Sequence, residues 1–187
     1  GQWQPREEIL RIDNKFREIL NYPLRMNKLA QPWTNKKEEP FEHVLKLRFK
    51  IESDIKIKDP ILALENVENT RIIVNGVEVN KNIEGWFVDK SIKKVRIPNL
   101  PKGTSEMVLE IPFNSKTNVE WCYLLGDFGV KIAGKHTKIV ELQKKLTFGS
   151  WVNQGLPFYA GNVTYHCTIE CNEGDLIIEV PQFRNPL

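Results

Sequence analysis

The chain has 187 residues, 41% of them hydrophobic and 27% charged, and its 27 basic and 24 acidic side chains give a formal net charge of +3. This length can bury a hydrophobic core without disulfides or metals, as one domain or as one domain with an appended segment. So small a basic excess argues against a nucleic-acid partner. No apolar run approaches the roughly 20 residues of a membrane-spanning helix, so no membrane partner is expected.

The first predicted element is an amphipathic helix that ends before Pro23. Its apolar face consists of Ile9, Ile12, Phe16, Ile19 and Leu20, at the spacing of a helix. Residues 23–40 contain three prolines and are predicted to form an extended linker. Because an apolar face must be buried, the helix is expected to pack on the following domain or on a neighbour outside this chain. The predicted division is residues 1–40, helix and linker, and residues 41–187, a β-domain.

From residue 41 the apolar spacing changes to two, which indicates β-strands. Within RIIVNGVEV at residues 71–79, Asn75 and Gly76 favour a two-residue hairpin turn, because both turn positions need a positive φ. The first predicted strand contains Leu45, Leu47, Phe49 and Ile51, and the others span 61–64, 93–97, 107–113, 119–125, 138–142, 163–171 and 176–180. Many short strands with frequent turns indicate an all-β sandwich or barrel.

The three cysteines, Cys122, Cys167 and Cys171, have no spacing typical of metal ligands. If Cys167 and Cys171 share the predicted strand, they lie about 13 Å apart at ~3.3 Å per residue. A disulfide requires Cα atoms within about 7 Å of each other. All three cysteines are therefore predicted to be buried free thiols.

Few residues are spaced for catalysis. The histidines have no ligand spacing, and neither a GxSxG motif nor a phosphate-binding glycine loop is present. A glycosidase needs two carboxylates, and Glu120 and Asp127 are the candidates by their setting. Asp127 could be a buried acid, although an aspartate in such a place more often caps a turn.

No cofactor is expected, but a structural calcium ion stays open. Calcium prefers the carboxylate and carbonyl oxygens of loops. The side chains that could supply such oxygens are Asp54, Asp59, Glu65 and Glu68. Acidic residues of this kind are common in any loop, so they do not by themselves define a metal site.

Aromatic residues beside glycines are the best candidates for ligand contact. Trp86 in EGWFVD and Trp151 in GSWVNQG have loop-like settings, whereas Trp121 lies in a predicted strand and is expected in the core. Sugars stack on aromatic rings while polar groups fix their orientation, although aromatics fill cores just as readily. The residues predicted to contact carbohydrate are Trp86, Asp89, Trp151, Gln154 and Tyr159.

The stretch GSWVNQGLPFYAG at residues 149–161 has an architectural interpretation beside the ligand-binding one. Pro157 cannot donate to a central ladder and so marks an edge or a bulge. Phe158 and Tyr159 are adjacent and point to opposite faces of an extended chain, so one of them is expected to pack inward. In this interpretation the stretch crosses between two sheets and leads into a core strand.

Three motifs occur in order along the chain: a VNGxxV hairpin at 74–79, LLGDFGV at 124–130 and GxWxxQGxPFYxGxxxY at 149–165. Together with the leading helix and linker they resemble the non-catalytic β-sandwich region of large bacterial glycoside hydrolases. The resemblance is to accessory domains of family 2-like and family 106-like enzymes, the latter typified by α-L-rhamnosidases, and it covers nearly the whole chain.

The resemblance implies a galactose-binding-like jelly roll, with the catalytic carboxylates in a separate barrel domain. It implies an accessory domain that binds carbohydrate or supports the catalytic domain, and that is not an enzyme by itself. More β-structure would follow residue 187 in such enzymes, so the β-domain is expected to be truncated there. The alternatives are a purely structural interdomain module and a small β-sandwich hydrolase or lyase. Without a signal-peptide pattern, the localisation stays open between the bacterial cytoplasm and secretion.

Overall fold

The computed structural model describes residues 3–25 and 39–170, together with Gly174, Ile177 and Glu179. Two compact units divide the chain, Gly1–Asp127 and Phe128–Leu187. The predicted boundary between residues 40 and 41 adjoins residues 26–38, which lie outside the described residues, and it stays a prediction. Cys171 and most of the predicted strand at 176–180 also lie outside them.

Helix α1 spans Ile9–Ile19 and belongs to the first unit. It begins at Glu8, whose carboxylate accepts hydrogen bonds from the backbone N–H groups of Leu10 and Arg11 at 3.0 and 3.2 Å, as an N-cap does. The helix packs on its own unit, because Phe16 meets Phe113 edge-on at 4.8 Å between ring centroids. Packing on the following domain is therefore observed, the first of the two alternatives for this helix.

The predicted apolar face of α1 is wrong in part. Ile19 is exposed, while the most deeply buried side chains of the helix are Asp13 and Arg17, which are 0% and 2% exposed. The helix lies against a loop rich in backbone carbonyls, to which Arg17 donates hydrogen bonds. A charged pair therefore occupies positions where periodicity alone places apolar side chains.

The first unit is built from eight strands arranged in two sheets within the described residues. In one sheet its strands follow the order β4-β3-β7-β1, and in the other β5-β6-β2-β8, with antiparallel neighbours throughout. The strands are β1 His43–Ser53, β2 Ile61–Leu64, β3 Arg71–Val74, β4 Val77–Glu78, β5 Ile83–Phe87, β6 Asp89–Arg96, β7 Gly103–Phe113 and β8 Tyr123–Leu125.

The core lies between these two sheets. Leu47 of β1 and Leu109 of β7 line the same small cavity as Leu64 of β2, so the two sheets face each other. Other buried side chains of the two sheets are Leu45, Leu62, Ile72, Val74, Val95, Met107 and Phe113. The alternation of apolar and polar residues has thus led to a β-sandwich-like arrangement, as the sequence predicts at this level.

The hairpin between β3 and β4 is confirmed. Asn75 and Gly76 have φ values of 48° and 80°, the positive values that this two-residue turn requires. The Asn75 side chain also accepts a hydrogen bond from the backbone N–H of Glu106 at 2.8 Å. The turn therefore fixes its own strands and anchors them to β7.

A lysine closes the loop between β2 and β3. The Nζ atom of Lys81 donates to the backbone carbonyls of Val67, Glu68 and Thr70, at 3.0, 2.8 and 3.0 Å. An ammonium group has three N–H bonds, and each is matched here by one carbonyl. The side chain therefore holds the loop in the way that a bound cation would.

The second unit contains a hairpin of β9, Gly129–Ala133, and β10, His136–Val140, and a 3-10 helix at Trp151–Gln154. A Cβ atom at Gly129 would lie 3.0 Å from the carbonyl oxygen of Glu141 and 3.1 Å from that of Gly155. The neighbouring Val130 N–H donates to the Gly155 carbonyl at 2.7 Å. A side chain at Gly129 would therefore crowd two backbone carbonyls, and glycine suits this close approach of backbone to backbone.

The predicted strand at 163–171 is wrong over its described part, because residues 163–170 form no strand. An alternating pattern forms a strand only where a neighbouring strand completes the ladder of hydrogen bonds. Within the described residues no strand pairs with this segment. Cys122 and Cys167 are both free thiols, as predicted. Cys167 is exposed, contrary to the predicted burial, and Cys122 is half-buried.

Candidate functional site

The tip of the β5–β6 hairpin presents an irregular, exposed segment in the first unit. The pairing register shifts between Ile83 and Trp86 and again between Trp86 and Phe87, which re-aims side chains as β-bulges do. Gly85 has a φ of 82°, and Val88 at the turn has a φ of 62°. A positive φ is unfavourable for a β-branched residue, and such strain is found mostly at functional segments. The Trp86 side chain is 50% exposed there.

Asp89 lies directly after this turn and is held by Ser91. Its Oδ1 atom accepts hydrogen bonds from the Ser91 backbone N–H and hydroxyl, both at 2.7 Å. These bonds, the backbone one first, lower the pKa of Asp89 below its usual value. The carboxylate is therefore ionised near neutral pH. Within the described residues Oδ2 has no hydrogen-bond partner, so it is free to accept one from a ligand.

Two further aromatic side chains of the same sheet contact each other, and one of them, Phe87, follows Trp86 in the chain. The rings of Phe87 and Tyr123 lie 5.4 Å apart between centroids in a tilted arrangement. Tyr123 is exposed, and its register partner on β2 is Ala63, which is fully buried. We call Trp86, Phe87 and Tyr123 the aromatic surface. Phe87 and Tyr123 are absent from the predicted site because a contact between residues 36 positions apart has no local sequence pattern.

The remaining predicted contacts belong to the second unit, so the five predicted residues fall into two groups. Trp151 is partly exposed at the start of the 3-10 helix. Tyr159 is exposed, and its hydroxyl donates to the carbonyl of Asn162 at 3.1 Å. Phe158 is exposed as well, so the prediction that one of this pair packs inward is wrong. The described chain is not a strand there, and alternation between two faces does not apply.

Gln154 has an architectural role in the second unit. Its Oε1 atom accepts from the Thr147 N–H at 2.7 Å, and its Nε2 donates to the carbonyls of Thr147 and Ser150 at 3.0 and 3.3 Å. The amide thus bridges residues 147 and 154 and is engaged on both its donor and its acceptor side. Gly155 then ends the 3-10 helix with a φ of 88°, a conformation that glycine adopts without strain.

The paired-carboxylate alternative finds no support in the geometry of the described residues. Glu120 accepts short hydrogen bonds from Arg25 and Asn118, both at 2.6 Å. With Glu65 it lines a cavity of about 20 Å³, which has room for a single water molecule. Asp127 is exposed and not the buried acid considered from sequence, and it lines a different, open groove.

The described part of the chain contains no group of three or more His, Cys, Asp or Glu side chains placed to hold a metal ion. The calcium site considered for Asp54, Asp59, Glu65 and Glu68 stays a prediction without support from these residues. Among the described helices none is both long and apolar enough to cross a bilayer.

Trp121 and Cys122 differ from expectation in opposite ways. Trp121, predicted in a strand of the core, precedes β8 and is exposed. Cys122 lines the small cavity between the sheets, and burial raises the pKa of its thiol to about 11. A thiol of that kind is protonated at neutral pH and is not an active nucleophile.

The comparisons with known proteins add no assignment. No family model matches this chain, and no curated protein and no solved structure matches it either. Its function must therefore be argued from its own residues.

Proposed function

We propose that the chain is an accessory carbohydrate-binding domain of a larger bacterial glycoside hydrolase, with no catalysis of its own. The proposal includes a galactose-binding-like jelly-roll topology and the catalytic domain of that enzyme as a partner. One observation carries it: the half-exposed Trp86 lies at a strained hairpin tip, three residues before a carboxylate that is fixed and ionised.

The chemistry of this surface suits a neutral sugar. The apolar face of a pyranose ring stacks on an exposed aromatic face, and its hydroxyl groups need acceptors of fixed position. Oδ2 of Asp89 is such an acceptor, because the Ser91 bonds to Oδ1 hold the carboxylate in place. Preorganisation of this kind reduces the entropy lost on binding. Trp151 and Tyr159 are proposed as further contacts in the second unit, with Gln154 shaping their loop.

A binding screen of the intact chain tests the proposal. The ligands are soluble oligosaccharides, including rhamnose- and galactose-containing ones, first detected by tryptophan fluorescence and then measured by calorimetry. We expect saturable binding to at least one ligand, weakened tenfold or more by Trp86→Ala and by Asp89→Ala. The matched control is Trp121→Ala, which removes another exposed tryptophan of the same unit and should leave the affinity unchanged.

Two results would contradict the proposal in different ways. Affinity retained in the Trp86→Ala, Trp151→Ala double variant would overturn the site while leaving sugar binding intact. Failure of every sugar to bind would favour the second candidate, a structural module that docks on the catalytic domain. Trp86, Val88, Trp121 and Tyr123 are all exposed in the first unit, and that candidate requires some of them to lie against the catalytic domain, since contiguous exposed apolar patches mark interaction surfaces.

A further inference from the structure

A second surface of the first unit contains an open groove of about 360 Å³. Its walls come from the connection between β1 and β2 and from the residues that follow β8. The lining residues are Lys56, Lys58, Asp59, Gly126 and Asp127. The volume lies near the lower end of the roughly 300–1,000 Å³ of small-molecule sites, but the lining is charged. An apolar ligand therefore does not fit this groove.

The backbone fixes the two lysines on one side of the chain. Ile57 between them is 2% exposed, and it exchanges both backbone hydrogen bonds with Leu100, at 2.9 and 3.1 Å. In extended chain, residues two apart point to the same side and their middle neighbour to the other. Because Ile57 is anchored in the core, Lys56 and Lys58 are both directed outward into the groove.

The acidic wall is fixed as well. Asp59 has a φ of 47°, and its backbone N–H donates to the Asn99 side chain at 2.8 Å. The following Pro60 is buried and accepts a hydrogen bond from the Ile97 N–H at 3.0 Å. The wall formed by residues 56–60 is therefore in place before any ligand arrives, apart from the side-chain rotamers of its lysines.

The two lysines are the uncommitted cations of this region. Neither Lys56 nor Lys58 makes an ion pair or hydrogen bond within the part of the chain that the structure describes. The nearby Arg96 is committed, because its guanidinium donates to both carboxylate oxygens of Glu84, at 3.1 and 2.8 Å. Arg96 also lies 3.9 Å from an Asp59 oxygen. A ligand anion therefore meets two ammonium groups that have no competing partner there.

A bare anion is nevertheless a poor match, because Asp59 and Asp127 line the same groove. Like charges repel the anion, while a carboxylate accepts hydrogen bonds from hydroxyl groups. The lining thus calls for a ligand that has one anionic group and several hydroxyl donors. We propose that the groove binds a uronide, a sugar ring that carries a carboxylate. The sugar carboxylate lies between Lys56 and Lys58, and ring hydroxyls donate to Asp59 and Asp127.

This inference goes beyond the proposed function, and its residues are separate from the aromatic surface. An experiment can therefore refute uronide binding in the groove while sugar binding at Trp86 is confirmed, or refute sugar binding at Trp86 while uronide binding is confirmed. The two sites are distinguished by ligand charge and by the variants that affect them.

The test is a titration of the isotope-labelled intact chain, followed by amide NMR shifts. The ligands are D-glucuronic acid, its neutral counterpart D-glucose, the methyl ester of glucuronic acid, and sodium sulfate at matched ionic strength. We expect saturable shifts at residues 56–59 and 126–127 with glucuronic acid, and binding at least tenfold weaker for glucose and the ester. An oligouronide that binds more tightly than the monomer would identify a polymer as the source of the ligand.

Variants separate recognition from general charge attraction. The Lys56→Gln, Lys58→Gln double variant should weaken glucuronic acid at least tenfold. Its control, Lys50→Gln with Lys102→Gln, removes the same charge from other exposed positions of the unit and should change the affinity less than twofold. Asp127→Ala should weaken the binding of glucuronic acid, because it removes an acceptor for the ring hydroxyls. It should strengthen the binding of sulfate, because it removes a charge that repels the anion.

Four results would each overturn the proposal. They are equal affinity for glucose and glucuronic acid, equal losses in the two lysine double variants, sulfate binding as tight as glucuronic acid, and no saturable shift in the groove at tens of millimolar glucuronic acid.

Discussion

At the scale of single residues, the most consequential contact is the buried pair of Asp13 and Arg17. Arg17 Nε donates to Asp13 at 2.9 Å, and its two Nη atoms donate to the carbonyls of Ser115 and Thr117 at 2.8 and 2.6 Å. Arg25 approaches the other Asp13 oxygen at 3.4 Å. Burial raises the pKa of Asp13, while the attraction to Arg17 and Arg25 opposes that rise. The pair is stable only as a complete network.

We expect Arg17→Met to lower the free energy of unfolding by about 3–5 kcal/mol, because it leaves the buried Asp13 carboxylate with only the 3.4 Å contact to Arg25 and leaves the carbonyls of Ser115 and Thr117 without the Arg17 donors. Urea denaturation at neutral pH measures this loss. Arg11→Met, at an exposed position of the same helix, is the control and should change stability by less than about 0.5 kcal/mol. Equal stability of the two variants would show that the buried network contributes nothing.

This network also shows why the sequence predicts the helix but not its contact. An i, i+4 pair of opposite charges is normally assigned to the solvent face of a helix. The reason for burial here is the set of free carbonyls at residues 115–119, about 100 positions further along the chain. No local pattern in residues 9–20 reports on that partner.

At the scale of elements, a row of charges runs across three strands of the first sheet. Glu110 of β7 is the register partner of both Lys46 on β1 and Arg71 on β3. Its two carboxylate oxygens accept from these side chains at 2.6 and 3.0 Å. The hydrogen bond from Lys46, and then that from Arg71, holds the pKa of Glu110 below its usual 4.5. Cross-strand pairs of this kind stabilise a sheet.

We expect Glu110→Gln to reduce the unfolding free energy at pH 7 by about 1 kcal/mol, since the pairs are partly solvated. A lowered pKa in the folded state means that this stabilisation is fully present above about pH 4.5, the unfolded value. It is lost as the pH falls through the folded pKa. Urea titrations of both proteins between pH 7 and pH 3 should therefore converge at low pH. Glu52→Gln on β1 is the control, and a gap that persists unchanged at pH 3 would contradict the assignment.

The close approach at Gly129 leads to a prediction for the second unit. Gly129→Ala places a methyl group against two backbone carbonyls, which costs about 1–3 kcal/mol when the chain must shift. The nearby Val130 amide should then exchange with solvent about tenfold faster or more, as measured by hydrogen exchange. Lys131→Ala, at an exposed position of the same strand, is the control and should leave the protection of Val130 unchanged.

Strands whose signal is local could be predicted, and strands that depend on a distant partner could not. The span 61–64 agrees with β2, and the Asn75-Gly76 hairpin is confirmed, because turn chemistry and alternation lie within a few residues. The alternation at 163–170 has the same appearance but lacks a pairing strand among the described residues. For the candidate site, the exposure of Trp86 could be anticipated from its glycine neighbour. The contact between Phe87 and Tyr123 joins β5 and β8, which are not neighbours in the sheet, so no local pattern could predict it.

At the scale of the whole molecule, helix α1 is part of the first unit and not an appendage. Phe113, which is fully buried, is covered by Phe16 and by the stacked ring of Tyr22 at 6.3 Å. Arg25 extends the same contact by donating to the Val119 carbonyl at 2.9 Å. The helix therefore covers part of the core of this unit, while the predicted boundary after residue 40 stays a prediction.

We expect a chain that begins at residue 39 to be less stable by at least about 3 kcal/mol, because it uncovers Phe113 and the carbonyls at 115–119. Binding of a hydrophobic dye and a lower urea midpoint would report this loss. A chain that lacks only residues 1–5 removes the exposed contact of Trp3 with Arg48 and is the control, with a loss of about 1 kcal/mol or less. Equal stability of both shortened chains would mean that the helix is dispensable.

Lys81 closes the loop between β2 and β3, so the chemical reactivity of its amine can report when this loop opens. An amine reacts with acylating reagents only after it loses a proton and turns its lone pair outward, and Lys81 has all three N–H bonds directed at carbonyls. In a mass-spectrometric footprint, Lys81 should be acylated at least tenfold more slowly than the exposed Lys90. As the urea concentration increases, the acylation rate of Lys81 should rise when this loop opens. The urea concentration at which the rate rises then measures the stability of the loop without an added probe.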